Sequence, residues 1–167
     1  MQNARGALPP AVLRLDVPGL RHFELRYLVL DVNGTLALDG KLLPGIAERL
    51  NGLRSTFEIH LLTADTHGGL TAISAELGLP GTRLRAGGEA EQKAAFVRTL
   101  AVDSVVAIGN GANDVGMLRE AALGVAVLGP EGLAVRLLEH ADVLAGSPTE
   151  ALDLLLQPKR LIATLRR

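Results

Sequence analysis

The stretch YLVLDVNGTLALDG, Tyr27 to Gly40, runs a short apolar segment into Asp31 and places Asn33 two residues beyond it, followed at once by glycine. A brief hydrophobic run closed by a turn signal reads as a buried strand. Tyr27 to Asp31 is therefore expected to be a core strand whose last residue is a carboxylate. The polar neighbour two places on is an amide, which exchanges no proton near neutral pH. Whether this segment belongs to a working enzyme depends on what else gathers at the end of that strand.

Upstream, AVLRLDVPGLRHFELRYLVLD alternates apolar and polar residues around Val-Pro-Gly, the pattern of a hairpin leading into the buried strand. Downstream, strand and helix patterns alternate. A helix is expected from Pro44 to Ser55, with Pro44 in its first turn and Ile46, Leu50 and Leu53 at helical spacing. FEIHLLT reads as a strand, THGGLTAISAELG as a helix stopped by Gly78, and TRLRA as a short strand near a sheet edge. A helix from about Glu89 to Leu100, the strand SVVAIG, a helix around Asn113 to Ala122 and the strand GVAVLG follow. EGLAVRLLEHA reads as helical and DVLA as a last strand. PTEALDLLLQPKRLIATLRR reads as one helix broken or bent at Pro158.

Such alternation predicts an α/β fold with a doubly wound, mainly parallel sheet and right-handed crossovers. Ligands of these sheets sit beyond the carboxyl ends of the strands. The chain is expected to form one domain over 1–167, with an N-terminal hairpin at about 11–26, a core at about 27–157 and a C-terminal helix at about 158–167.

Composition agrees with that architecture. Hydrophobic residues make up 48% of the 167 while aromatics contribute 2%, so the core must be built from aliphatic side chains, as in a sheet covered on both faces. A formal charge of −1 gives no reason to expect nucleic acid or an anionic membrane as a general partner. Cysteine is absent, which excludes disulfides and thiolate metal sites. The apolar runs are too short to span a bilayer, and MQNARGALPP lacks the apolar core of a signal peptide, so a cytoplasmic location is the default expectation.

Four short sites fall at strand ends or helix starts. Asp31 could shape the turn before Asn-Gly, or do chemistry. Thr63, ending the next strand in LLTAD, could cap the following helix, or hold an anion with the neighbouring amides. Lys93 lies in the first turns of its helix, where the dipole disfavours a cation. It could pair with Glu89 four residues earlier, worth about 0.2–0.5 kcal/mol, or reach across the strand ends to an anion. AIGNGANDVGML puts Gly109, Asn110, Gly111, Asn113 and Asp114 between a strand and a helix, where Asn113 or Asp114 could be an N-cap.

Taken in order, DVNGTL, LLTAD, Lys93 and GNGAND resemble the motifs of the haloacid dehalogenase (HAD) superfamily, over roughly Tyr27 to Asp142. GNGANDVGML looks most like the GDGxND loop of P-type ATPases, and the whole is similar to small soluble P-type-ATPase-like phosphatases. The resemblance implies a Rossmannoid three-layer sandwich and a Mg2+-dependent phosphohydrolase. Asp31 would be the nucleophile that forms an aspartyl phosphate, and Thr63 with Val32, Asn33, Ala64 and Asn113 would bind the phosphoryl oxygens. Lys93 would neutralise charge. Asp31, the carbonyl of Asn33, Asn110 and Asp114 would ligate Mg2+.

Two departures from the family pattern matter. Asn33 stands where an Asp usually protonates the leaving oxygen and activates water, so proton-transfer help of about 10²–10⁴-fold is missing. Asn110 replaces an aspartate that contacts the metal directly, which lowers the charge of the site. The chain therefore reads as a slow phosphatase or, alternatively, as a catalytically impaired module that binds a phospholigand or a protein. No segment between the motifs is long enough for a cap domain. An uncapped site is open to small or macromolecular phosphates, or covered by a second copy. The apolar, basic tail KRLIATLRR could make such a homo-oligomer contact or pack on its own sheet.

Overall fold

The computed structural model describes residues 10–64 and 68–167. Strands β1 (Leu13–Val17) and β2 (Arg21–Leu25) form an antiparallel hairpin around Pro18 to Leu20, and β3 (Tyr27–Asp31) follows directly. Next come the two-residue strands β4 (Ala37–Leu38) and β5 (Lys41–Leu42), joined by Asp39 and Gly40. Both of those residues have positive φ, 50° and 74°, the requirement of a two-residue hairpin turn that Asp-Gly meets. The chain continues through α1 (Ile46–Leu53), β6 (Glu58–Thr63), α2 (Leu70–Leu77), β7 (Gly81–Arg83), α3 (Glu89–Arg98) and β8 (Val105–Gly109). It ends with α4 (Val115–Glu120), β9 (Leu123–Val127), β10 (Val143–Ala145), α5 (Pro148–Leu156) and α6 (Pro158–Leu165).

Six strands form one wholly parallel sheet in the order β10-β9-β8-β3-β6-β7. Because successive side chains of a strand point to opposite faces, each central strand feeds two cores. Leu28 and Leu30 of β3, Leu61 of β6, Ile108 of β8 and Val125 of β9 pack with α1, α2, α5 and the β1–β2 hairpin. Val29, Leu62, Ala107 and Ala126 point the other way, to α3, α4 and Leu137. The result is the three-layer α/β sandwich that the alternating pattern predicts. Among the described residues, no helix is long and apolar enough to cross a membrane.

Local differences from expectation have physical causes. Pro44 lies outside α1, which begins after Gly45, a residue at φ 81° that no helix turn includes. The first residues of the expected THGGLTAISAELG helix, Thr66 and His67, lie outside the described residues, and α2 runs from Leu70 to its left-handed cap at Gly78. The EGLAVRLLEHA segment is not an α-helix. Residues 129–134 are drawn onto the strand ends by backbone bonds, Gly132 N to Gly129 O at 2.9 Å and Ala134 N to Asn110 O at 2.9 Å, leaving only a 3₁₀ stretch over Val135–His140. The last helical segment is two helices, divided at Gln157 (φ −123°, ψ 66°) before Pro158. Leu161 of α6 is fully buried in the core cluster that includes the sheet, and Arg167 N donates to Pro18 O at 3.0 Å, so this tail packs on its own fold beside the β1–β2 hairpin.

Candidate active site

Parallel pairing of β3 with β6 and β8 sets Asp31 beside Leu62 and Leu30 beside Ile108, which brings Asp31, Thr63 and Asn110 to one end of the sheet. They open on a cleft of about 560 Å³ whose lining also includes Asn33, Ala64 and Asn113. Strand order reverses here, since β3 connects onward to β6 on one side and lies against β8, reached later in the chain, on the other. That is the switch point at which open α/β sheets bind ligands.

Beneath the cleft lies a buried ionic triad. Lys93 Nζ, with no solvent exposure, donates to Asp31 Oδ1 at 2.5 Å and to Asp114 Oδ1 at 2.6 Å. A desolvated ammonium is tolerable only when paired in this way. Lys93 therefore does not pair with Glu89, whose Oε2 instead accepts from Asn113 Nδ2 at 3.3 Å. Burial works against the Lys93 cation, but the Asp31 and Asp114 carboxylates outweigh it and hold its pKa above the ordinary value. Burial and then the nearby Asp114 charge push Asp31 up to about 7, against the pull of Lys93 and Thr35. Two carboxylates around one ammonium leave the triad a surplus negative charge, which raises the Asp31 pKa beside it.

Asp114 does not line the cleft. Its side chain is fully buried, with Oδ1 on Lys93 and Oδ2 accepting from the amides of Asn110 (3.0 Å) and Gly111 (2.9 Å). Gly109 makes room for this, because a Cβ there would lie 2.4 Å from the Asp114 carboxylate. Asp114, a metal ligand in the sequence expectation, holds Lys93 and the Asn110 loop from beneath the cleft. Neither Asp114 nor Asn113 caps α4 through its side chain. Nor does Thr63 cap α2, which starts after Gly69; its Oγ1 accepts from Asn33 Nδ2 at 3.2 Å. Val32 is buried in the core, but its carbonyl accepts the amides of Leu36 and Ala37, tightening the loop after Asp31.

Thr35 belongs to the candidate site although the sequence reading did not single it out within DVNGTL. Fully buried, its Oγ1 bonds Asp31 Oδ2 at 2.9 Å and Asn110 Oδ1 at 3.1 Å. Its place four residues after Asp31 in a Gly-Thr turn was the available signal. Glu131 and Glu89 also line the cleft, and no local pattern marked either.

Donor chemistry decides whether these residues suit Mg2+. The Asp31 carboxylate and Asn110 Oδ1 are hard oxygens, held side by side by one hydroxyl, and they fit a hard cation. Their charge is low. Among the described residues no three His, Asp or Glu side chains gather as a metal cluster, and the one carboxylate facing the cleft from the triad is shared with Lys93.

A buried Lys thus bridges the strand-end Asp31 and the loop carboxylate Asp114 at the switch point of a parallel sheet. The chain belongs to the haloacid dehalogenase superfamily. A family model for haloacid dehalogenase-like hydrolases matches residues 89–149. An uncharacterised protein of Methanocaldococcus jannaschii, MJ0073, is 44% identical over 62 residues, 37% of this chain and 67% of that one. Another from the same organism, MJ0072, is 51% identical over 39 residues, 23% of this chain and 89% of that one.

Solved structures share the fold at low identity. The cobalt-bound deoxy-D-mannose-octulosonate 8-phosphate phosphatase of Haemophilus influenzae aligns with a TM-score of 0.66 at 15% identity, over 81% of this chain and 90% of that one. The 3-deoxy-D-manno-octulosonate 8-phosphate phosphatase of Moraxella catarrhalis, in complex with magnesium, phosphate and KDO, gives 0.59 at 19%, over 85% and 94%. A phospho-aspartyl intermediate analogue of phosphoserine phosphatase gives 0.60 at 16%, over 80% and 99%.

Proposed function

We propose that the protein is a Mg2+-dependent phosphohydrolase that passes a phosphoryl group through Asp31 to water. The observation that carries this is the Lys93 ammonium at 2.5 Å from Asp31 Oδ1, buried under an open cleft. An ammonium so placed stabilises charge on the nucleophile and on the group it receives without reorganising at the moment of transfer. Phosphatases of the same fold, one bound to magnesium and phosphate and one a phospho-aspartyl analogue, support the reaction class.

In the first step a carboxylate oxygen of Asp31 bonds to phosphorus while the bond to the leaving oxygen breaks. Thr35 and Lys93 hold the carboxylate, one at each oxygen, and so set its direction of attack. Thr63, Asn113 and the amides near Asn33 and Ala64 orient the phosphoryl oxygens. Asn33 donates no proton, so the leaving group departs as an anion and good leaving groups react best. In the second step water attacks phosphorus and Asp31 is released as the carboxylate. Asp31, the Asn33 carbonyl and Asn110 would hold Mg2+, which when bound supplies neutralisation of phosphate charge. Asp114 keeps Lys93 and the Asn110 loop in place. The likeness of GNGANDVGML to the P-type ATPase loop fits a phosphoenzyme that decays slowly.

One observation favours a second reading, a module that binds a phospholigand without turnover. The Asn33 amide is engaged with Thr63, which positions two phosphate-binding groups but leaves hydrolysis without an acid or base. A phosphatase panel with Mg2+, run beside Asp31→Asn and with rapid-quench detection of the phosphoenzyme, separates the two. Turnover lost in Asp31→Asn supports the enzyme; phosphate binding without a phosphoenzyme in wild type supports the module.

A further inference from the structure

Glu131 has no part in the mechanism above, yet its carboxylate stands over the loop that follows Asp31. It sits in a tight turn closed by Gly132 N to Gly129 O at 2.9 Å and Gly129 N to Gly132 O at 3.3 Å. That turn lies flat on the Asp31 loop, since a Cβ on Gly129 would fall 2.0 Å from the Gly34 carbonyl oxygen. It is also tied to the neighbouring strand end, with Asn110 Nδ2 donating to Gly132 O at 3.0 Å and Ala134 N to Asn110 O at 2.9 Å. Glu131 Oε2 and Asn110 Nδ2 lie 2.6 Å and 3.0 Å from the point a Gly34 Cβ would occupy, so the two side chains converge on one face of Gly34.

We infer that Glu131 supplies the cation site with the negative charge that Asn110 lacks. This rests on the assignment of Asp31, Asn33 and Asn110 as the oxygen ligands. Among the described residues the side chain has no hydrogen bond or ion pair, and its carboxylate lines the cleft. A divalent cation between Asp31 and Asn110 would be attracted by it, through bound water or directly.

The geometry separates this role from that of a substitute acid for Asn33. β8, with Asn110, lies on one side of β3, and β6, with Thr63, on the other. Asn33 Nδ2 is turned to Thr63, whereas Glu131 is held on the Asn110 side. A carboxylate on that side acts on the cation rather than on the leaving oxygen.

Mn2+ titration followed by electron paramagnetic resonance tests this without turnover, on wild type, Glu131→Gln and Glu139→Gln, an exposed glutamate outside the cleft lining. Glu131→Gln should weaken Mn2+ about 10-fold, the lower end of what outer partners of metal sites contribute. Glu139→Gln should stay within about twofold, because an exposed distant charge is screened. Glu131→Asp, which keeps the charge, should retain most of the affinity and guards against a folding effect of the amide. Equal affinity in wild type and Glu131→Gln, or no Mn2+ bound by wild type, overturns the inference. Trapping of phosphoenzyme from acetyl phosphate at saturating Mn2+ keeps the two proposals apart. Glu131-dependent binding without any phosphoenzyme supports the inference and sinks the phosphohydrolase; phosphoenzyme with Glu131-independent binding does the reverse.

Discussion

Lys93 Nζ lies 2.5 Å from Asp31 Oδ1 at a position with no solvent exposure, and the same nitrogen reaches Asp114 Oδ1 at 2.6 Å. Two buried carboxylates thus depend on one cation. Removing that cation leaves both uncompensated, whereas neutralising one carboxylate leaves a balanced pair. The two changes should therefore move stability in opposite directions.

Lys93→Met should destabilise the protein by about 3–5 kcal/mol, the usual cost of stripping one partner from a buried ion pair. For a chain of this size that lowers Tm by roughly 6–20 °C. Thermal unfolding at pH 7.5 in chelator checks it, and an unchanged Tm would mean that the triad is open to water.

Asp31→Asn should raise Tm above neutral pH, and the pH dependence follows from the same shift. An acid raised from 3.8 to about 7 on folding binds its proton more tightly in the native state. Its stability contribution is full below about pH 4 and is lost as pH rises to about 7. Wild type in chelator should lose stability over that window, and Asp31→Asn should lose less. Phosphoenzyme formation by wild type should not fall as pH rises through this window, because only the carboxylate attacks and bound Mg2+ favours it. A rate that falls through this range would contradict the assignment.

Asn33→Asp should speed cleavage of alkyl phosphates, with poor leaving groups, by up to about 10²–10⁴-fold, and aryl phosphates much less. The local structure tolerates it. Asn33 and Asp are nearly isosteric, and a hydroxyl such as Thr63 Oγ1, which now accepts from Asn33 Nδ2, has both donor and acceptor capacity. Steady-state kinetics on a series of leaving groups would show it; a wild type equally fast on alkyl phosphates would reveal another acid in the site.

Asn110→Asp should behave differently, although both positions are Asn-Gly. Asn110 Nδ2 donates to the Gly132 carbonyl at 3.0 Å, and a carbonyl cannot donate in return. In chelator the variant should lose about 1–3 kcal/mol through that opposed pair of oxygens. Mg2+ should restore the loss, and the Mg2+ concentration needed for half-maximal phosphoenzyme should fall. Denaturant melts with and without Mg2+ measure the first effect and rapid-quench titration the second.

Free wild type should bind Mg2+ weakly, and a phosphate mimic should tighten it, because the bound anion brings charge that the protein oxygens lack. Isothermal calorimetry with and without the mimic decides this. Equal affinity in both would show that protein carboxylates already complete the site.

The sequence by itself determined the layered fold and most of the site, because both rest on local patterns. Short aliphatic runs alternating with helical periodicity dictate a parallel sheet, and strand ends in a parallel sheet share one edge, which gathers Asp31, Thr63 and the Asn110 loop; Lys93, within α3, was singled out by the resemblance to the haloacid dehalogenase motifs. What tertiary structure alone decided is which partners those groups take. Whether Lys93 bonds Glu89 one turn away or Asp31 across the sheet depends on how closely α3 packs over β3 and β8, and no periodicity encodes that distance. Asp114 offers the same lesson, since its spacing suits a cap or a ligand equally, and only the fold shows it buried with one oxygen on Lys93 and the other on the amides of Asn110 and Gly111. Glu131 was out of reach because its position is set by backbone bonds between a glycine turn and loops some 20 and 95 residues earlier in the chain, roughly, and long-range closure of that kind leaves no mark on neighbouring side chains.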